Sequence, residues 1–137
     1  MNQCPGTCGL NNLDLLPNGF AKLADPKLGR IDVKWSIVEC GITSPIYLHN
    51  KLGTSQWWFS MQVVNSNVPV QALEVSTDGA KTWQPTVRRD YNFFENSTGF
   101  GVDVVDVRIT SVTGETIIIN NVGTASESST TGSSNFS

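Results

Sequence analysis

Two adjacent tryptophans, Trp57 and Trp58, carry the most evident chemistry in this chain. A flat ring left in solvent stacks on the apolar C–H face of a sugar and leaves its hydroxyl edges to hydrogen-bonding neighbours. Successive residues of a strand point to opposite faces. Phe59, Met61 and Val63 share a face with Trp57, while Ser60 and Gln62 share one with Trp58. Alternation therefore puts Trp58 in solvent and Trp57 in the core. A bulge after Gly53, Thr54 and Ser55 would turn Trp57 outward too. Asp90, Tyr91, Asn92, Phe93 and Phe94 form a second aromatic cluster behind Arg88 and Arg89. Those rings either pack a loop on the protein or extend the tryptophans into a row, which would match a linear polysaccharide.

Asp14 is the candidate acid. Leu13, Leu15 and Leu16 flank it, an apolar setting that would raise its pKa and suit general-acid work. Inverting glycoside hydrolysis needs a second carboxylate ~6.5–9.5 Å away. Asp25 and Asp32 are candidates by sequence proximity alone, and a cap or turn role is the ordinary alternative. The chain holds no Ser/His/Asp, Cys/His, phosphate-loop or His-Glu metal motif. Cys4, Cys8 and Cys40 with the single histidine, His49, make a poor zinc set by spacing. His49 reads as a strand-surface residue. Asn96, Ser97 and Thr98, and Asn135, Phe136 and Ser137, are N-glycosylation sequons.

The elements that must position these residues read mostly as strands. Pro17 suits the first turn of a helix whose apolar face is Phe20, Leu23 and Ala24, and Asp25-Pro26 ends it. Ile31, Val33, Trp35 and Ile37 alternate with polar residues as a half-buried strand does. Further strands are expected over residues 46–49, 57–64, 70–76, 82–88, 102–112 and 116–122. In 70–76, Leu73 and Val75 face inward and Glu74 outward. Asp78-Gly79 is a hairpin signal, and Pro85 marks an edge or a bulge. Strands punctuated by turns every ~8–12 residues predict an all-β sandwich. Residues 123–137 are Ser/Thr/Gly-rich with almost nothing apolar, and composition predicts a disordered tail.

Composition narrows the function classes. The chain has 137 residues, a formal charge of -3 and 15% charged residues, against the usual ~25%. That length fits about one domain, or one and a fragment. An isoelectric point near 4.9 and the lack of a basic run speak against nucleic acid. No apolar run nears the ~18 residues of a membrane helix. The first residues carry no signal-peptide pattern, although the composition looks secreted.

In order and spacing, the motifs resemble an expansin of the microbial expansin-like type, from Cys4 to about Val122. The carrying residues are Cys4, Pro5, Gly6, Thr7 and Cys8; Leu13, Asp14, Leu15, Pro17 and Phe20; and Gly29, Arg30, Ile31, Val33 and Trp35. Lys51, Gly53, Ser55, Trp57 and Trp58; Val68, Pro69 and Val70; and Asp90, Tyr91, Asn92, Phe93 and Phe94 complete the set. The resemblance implies an incomplete double-psi β-barrel remnant at 1–40. It implies an immunoglobulin-like β-sandwich that binds cellulose at 41–122, followed by the tail at 123–137. Asp14 would match the counterpart of a glycosidase general acid, in a family that lacks the catalytic base. Trp57, Trp58 and Tyr91 would match a linear aromatic platform with Lys51 beside it, which puts both tryptophans outside. Leu16 stands where the family usually has Ser, so a helix cap worth ~1 kcal/mol is missing.

The implied function is non-hydrolytic binding and loosening of cell-wall cellulose or a related β-glucan. The implied protein is an extracellular monomer without cofactor, with a chain truncated upstream and a cysteine that lost its disulfide partner. Two other classes compete. A family 45-like endoglucanase fragment would place a second carboxylate at inverting distance from Asp14. A structural or adhesion sandwich would bury Trp57 and Trp58.

Overall fold

The computed structural model describes Gly9 and residues 11–137. Cys4 and Cys8 lie outside the described residues, and Cys40 is exposed. The backbone divides into two compact units, Met1–Ile37 and Val38–Ser137.

In the first unit, helix α1 is a single turn, Pro17–Phe20, and buries no residue. Leu16 occupies its N-cap without a side-chain hydrogen bond; the Leu16 carbonyl still accepts from Gly19 and Phe20 at 2.8 and 3.0 Å. A 3-10 turn follows at Pro26–Leu28. Asp25 caps it by accepting from the Lys27 amide at 2.9 Å, so Asp25 is a cap rather than a second acid. Residues 31–37 form no strand, a correction to the alternation reading. Val33, Trp35 and Ile37 are all exposed. The pattern is there, but among the described residues no neighbouring strand takes up its backbone groups.

The second unit starts three residues before the expected boundary. The Cys40 amide donates to Asn67 O, and the Ile42 amide to Asn67 Oδ1, both at 3.0 Å. The described strands are β1 (Tyr47–Asn50), β2 (Phe59–Val64), β3 (Val70–Ser76), β4 (Gln84–Pro85), β5 (Val87–Arg88), β6 (Phe94–Asn96), β7 (Val104–Ser111), β8 (Thr116–Gly123) and β9 (Ser129–Thr131). They build two antiparallel sheets, β5-β6-β2-β1-β9 and β4-β3-β7-β8. Leu48, Phe59, Met61 and Phe94 from the first sheet meet Leu73, Val75, Val107 and Ile109 from the second in one core. Each such side chain contributes about 1.5–3 kcal/mol of burial. Phe100 closes the core edge-on against Phe59, with centroids 5.1 Å apart.

The expected strand at 82–88 is cut in two after Pro85. β4 pairs with β3 in one sheet, and β5 pairs with β6 in the other. Both pieces lie at sheet edges, where proline costs no ladder hydrogen bond.

The tail is a larger correction. Residues 123–137 are ordered and complete the sandwich. β9 pairs with β1 from Tyr47↔Thr131 to His49↔Ser129. The Gly132 amide donates to Ile46 O at 2.8 Å, and the Ile46 amide to Ser134 O at 2.9 Å. Phe136 is only 2% exposed and sits in the core. Composition counts apolar residues, whereas here a vacant edge of β1 supplies backbone partners and one phenylalanine anchors the end.

Candidate functional site

Trp57 stands at the tip of a tight reversal. Ser55 N donates to Trp58 O at 2.8 Å, and Trp58 N to Ser55 O at 3.3 Å. This hairpin leaves Trp57 69% exposed. Trp58 is half-buried, and neither ring belongs to the core. Periodicity alone would have buried Trp57; the reversal starts the strand at Phe59, after both rings, so alternation never applies to them. The buried pair that an adhesion sandwich calls for is absent.

The reversal is gripped from outside. Phe100 N and Gly101 N both donate to Gln56 O, at 3.0 and 2.9 Å. Gly99 makes that approach possible. Its φ is +64°, and a Cβ there would collide with the Gln56 carbonyl, so only glycine fits. Upstream, Thr54 Oγ1 donates to Ser60 O at 2.8 Å, and Lys51 N donates to the same oxygen at 3.0 Å. The C-terminal segment holds this loop as well. Gly53 N donates to Ser126 Oγ, and Asn50 Nδ2 to Gly123 O, Ala125 O and Ser128 Oγ.

Tyr91 comes from the β5–β6 hairpin. Arg89 N donates to Phe93 O at 2.8 Å and Asn92 N to Arg89 O at 2.9 Å. Asn92 takes the left-handed backbone (φ 62°) that closes such a loop. Arg88 fixes it with two hydrogen bonds to Asn92 Oδ1, at 3.1 and 2.6 Å. The Lys51 ammonium lies 4.3 Å from the Tyr91 ring centroid and 5.7 Å from those of Trp58 and Phe93. Three rings thus surround one cation, a favourable arrangement worth ~0.5–1 kcal/mol per contact at an exposed site. Tyr91 and Phe93 are 5.9 Å apart and tilted by 50°.

Beneath Tyr91 lies Glu95, 5% exposed. Its carboxylate accepts from Tyr91 Oη at 2.5 Å, Arg89 Nε at 2.8 Å and Ser60 Oγ at 3.0 Å. Burial pushes its pKa up, but the three donors and the Arg89 charge outweigh that and hold it below the usual carboxylate range. The hydrogen bond to Glu95 pushes the Tyr91 phenol up. Sequence reading missed Glu95 and Gly99. A lone glutamate among turn residues carries no sign of burial, and a glycine among Ser, Thr and Gly gives no sign of what approaches it.

The other candidates stand elsewhere. Asp14 is exposed, and so are Leu13, Leu15 and Leu16; the enclosing apolar setting expected from sequence is missing among the described residues. His49 Nδ1 meets Ser129 Oγ at 3.1 Å across the β1–β9 pair. Asn96 Oδ1 accepts from Thr98 N and Oγ1 in a local turn. Asn135 is a structural latch. Its Nδ2 donates to Ser44 O at 2.7 Å and Asn65 O at 2.8 Å, so a glycan on that nitrogen would have to displace one of those bonds.

The fold and several relatives point the same way. Expansin-YoaJ of Bacillus subtilis is 38% identical over 105 residues, covering 77% of this chain and 44% of that protein. Expansin-like protein 5 of Dictyostelium discoideum is 28% identical over 110 residues, covering 80% of this chain and 45% of that protein. In sequence and fold the chain is expansin-like. It spans less than half the length of these curated relatives. The expansin-like chain matches no protein-family model. Its fold is similar to the crystal structure of apo Clavibacter michiganensis expansin, with a TM-score of 0.72, 22% identity and coverage of 97% of this chain and 64% of that one. A mutant of that expansin in complex with cellohexaose gives a TM-score of 0.73 at the same identity and coverage.

Proposed function

We propose that this chain is a non-catalytic β-glucan-binding module, acting outside the cell in non-hydrolytic loosening of cellulose-rich walls. The observation that carries this reading is the exposure of Trp57 beside the Trp58, Tyr91, Phe93 and Lys51 cluster. In this reading Trp57, Trp58 and Tyr91 stack on successive sugar faces, and Lys51 donates to the hydroxyl edge. Clamped loops suit such a surface, because rings already ordered lose little entropy on binding. The cellohexaose complex of the Clavibacter michiganensis expansin supports a cellulose-like ligand. Exposure of Asp14, together with the capping role of Asp25, favours binding over hydrolysis. Residues 1–40 are the part related to a double-psi barrel.

Retention on microcrystalline cellulose tests the reading. Trp57→Ala and Trp58→Ala should each weaken it by ~1–3 kcal/mol, by analogy with base stacking on aromatic side chains. Wild-type retention by the double variant would overturn it. Ring stacking is also largely blind to ionic strength; retention that collapses with added salt would indicate ion pairing instead.

A further inference from the structure

Glu95 is a buried charge that the binding surface does not itself use. The Arg89–Glu95 pair at 2.8 Å joins this buried carboxylate to a guanidinium that stays 46% exposed; taking a carboxylate out of water is costly, so its burial calls for an explanation. The carboxylate is shared by three donors, and one of them is the hydroxyl of a ring that faces Lys51. A short hydrogen bond from a phenol to an ionised carboxylate anchors the tip of the ring. It also polarises the O–H bond toward the carboxylate, while the proton stays on the phenol, and so enriches the π-face. An enriched face attracts both an ammonium and the C–H bonds of a sugar more strongly.

We propose that Glu95 is the positioning residue of the glucan surface: through Tyr91 it sets the orientation and electron richness of one ring, and through that ring it places the Lys51 ammonium. This rests on the binding function proposed above. Glu95 makes no contact with ligand in this scheme. Ser60, on β2 next to Phe59, ties the same carboxylate to the strand that follows the tryptophans. One buried group thereby links the β5–β6 hairpin to β2, the strand that follows Trp57 and Trp58.

Calorimetric titration with cellohexaose of the whole chain and three variants tests it. Tyr91→Phe and Glu95→Gln should each weaken binding roughly 3–10-fold, the range of one lost hydrogen bond. The double variant should be no weaker than Tyr91→Phe alone. Additive losses, or an unchanged affinity in Tyr91→Phe, would overturn the proposal. A direct readout needs no ligand. Ring current from Tyr91 should shift the Lys51 side-chain methylene resonances upfield, and Glu95→Gln should move them back while the backbone spectrum stays native. Unmoved Lys51 resonances in a folded Glu95→Gln variant would also overturn it. Should Glu95→Gln not fold, Tyr91→Phe alone decides by the same two readouts. If the Trp57→Ala, Trp58→Ala variant binds cellohexaose normally, the glucan reading fails, and the Lys51 shifts still decide the role of Glu95.

Discussion

Residues 31–37 and strand β7 share the same alternation of apolar and polar side chains, yet they end in opposite states. Val105, Val107 and Ile109 are buried against the facing sheet, while Val33, Trp35 and Ile37 remain exposed and form no strand. β7 lies between β3 and β8 and exchanges backbone hydrogen bonds with both. Residues 31–37 have no such neighbour among the described residues. Alternation therefore reports which side chains could share a face, and a face becomes a strand only when backbone partners exist on its flanks.

The widest contrast is between two isoleucines. Ile109→Ala should cost about 2–5 kcal/mol, since Ile109 is fully buried, whereas Ile37→Ala at 70% exposure should stay within ~0.5 kcal/mol. Urea unfolding midpoints decide it, and equal shifts would break the comparison. The ordered tail extends it, because Phe136 behaves as core despite its neighbours. Phe136→Ala should cost about 3 kcal/mol and raise amide exchange along β1; an unchanged midpoint would return residues 123–137 to a frayed end. Gly99→Ala should cost ~1–2 kcal/mol or more from its left-handed backbone alone, with a shifted tryptophan emission as Gln56 is pushed away. Gly29→Ala, also at positive φ but in open space, should leave emission unchanged.

The smallest effect is a pH dependence of the second unit. The Glu95 pKa is lowered in the folded chain. The stability it contributes is therefore complete above the ordinary carboxylate range and is lost as pH falls through the folded value. Urea midpoints between pH 7 and pH 3 should decline less in Glu95→Gln than in the parent chain. A parallel decline would show that Glu95 is not the group responsible.

Much of the second unit is legible in its residues alone. Leu73 and Val75 inward with Glu74 outward, the bend at Asp78-Gly79 and the break at Pro85 all follow from local rules that act over two to four residues. The Asp78 turn is held by its own carboxylate, which accepts from Lys81 N, Thr82 N, Thr82 Oγ1 and Ser76 Oγ. The tail is not legible in this way, because its partners lie about eighty residues upstream: His49 pairs with Ser129, and Asn135 latches Ser44. The exposure of Trp57 is legible through the turn residues Gly53, Thr54 and Ser55 before it and through family resemblance, while periodicity points the other way.

By itself the sequence determined the all-β class, the inward and outward faces of β3 and β7, and the aromatic residue types at hand. These are set by side-chain chemistry and the two-residue period of a strand. Only the tertiary structure decided that Lys51 sits among three rings, that Glu95 is buried beneath Tyr91, and that residues 123–137 close the sandwich. Each of those depends on which distant backbone edge or donor is left without a partner, and that is a property of the assembled sheets rather than of any segment.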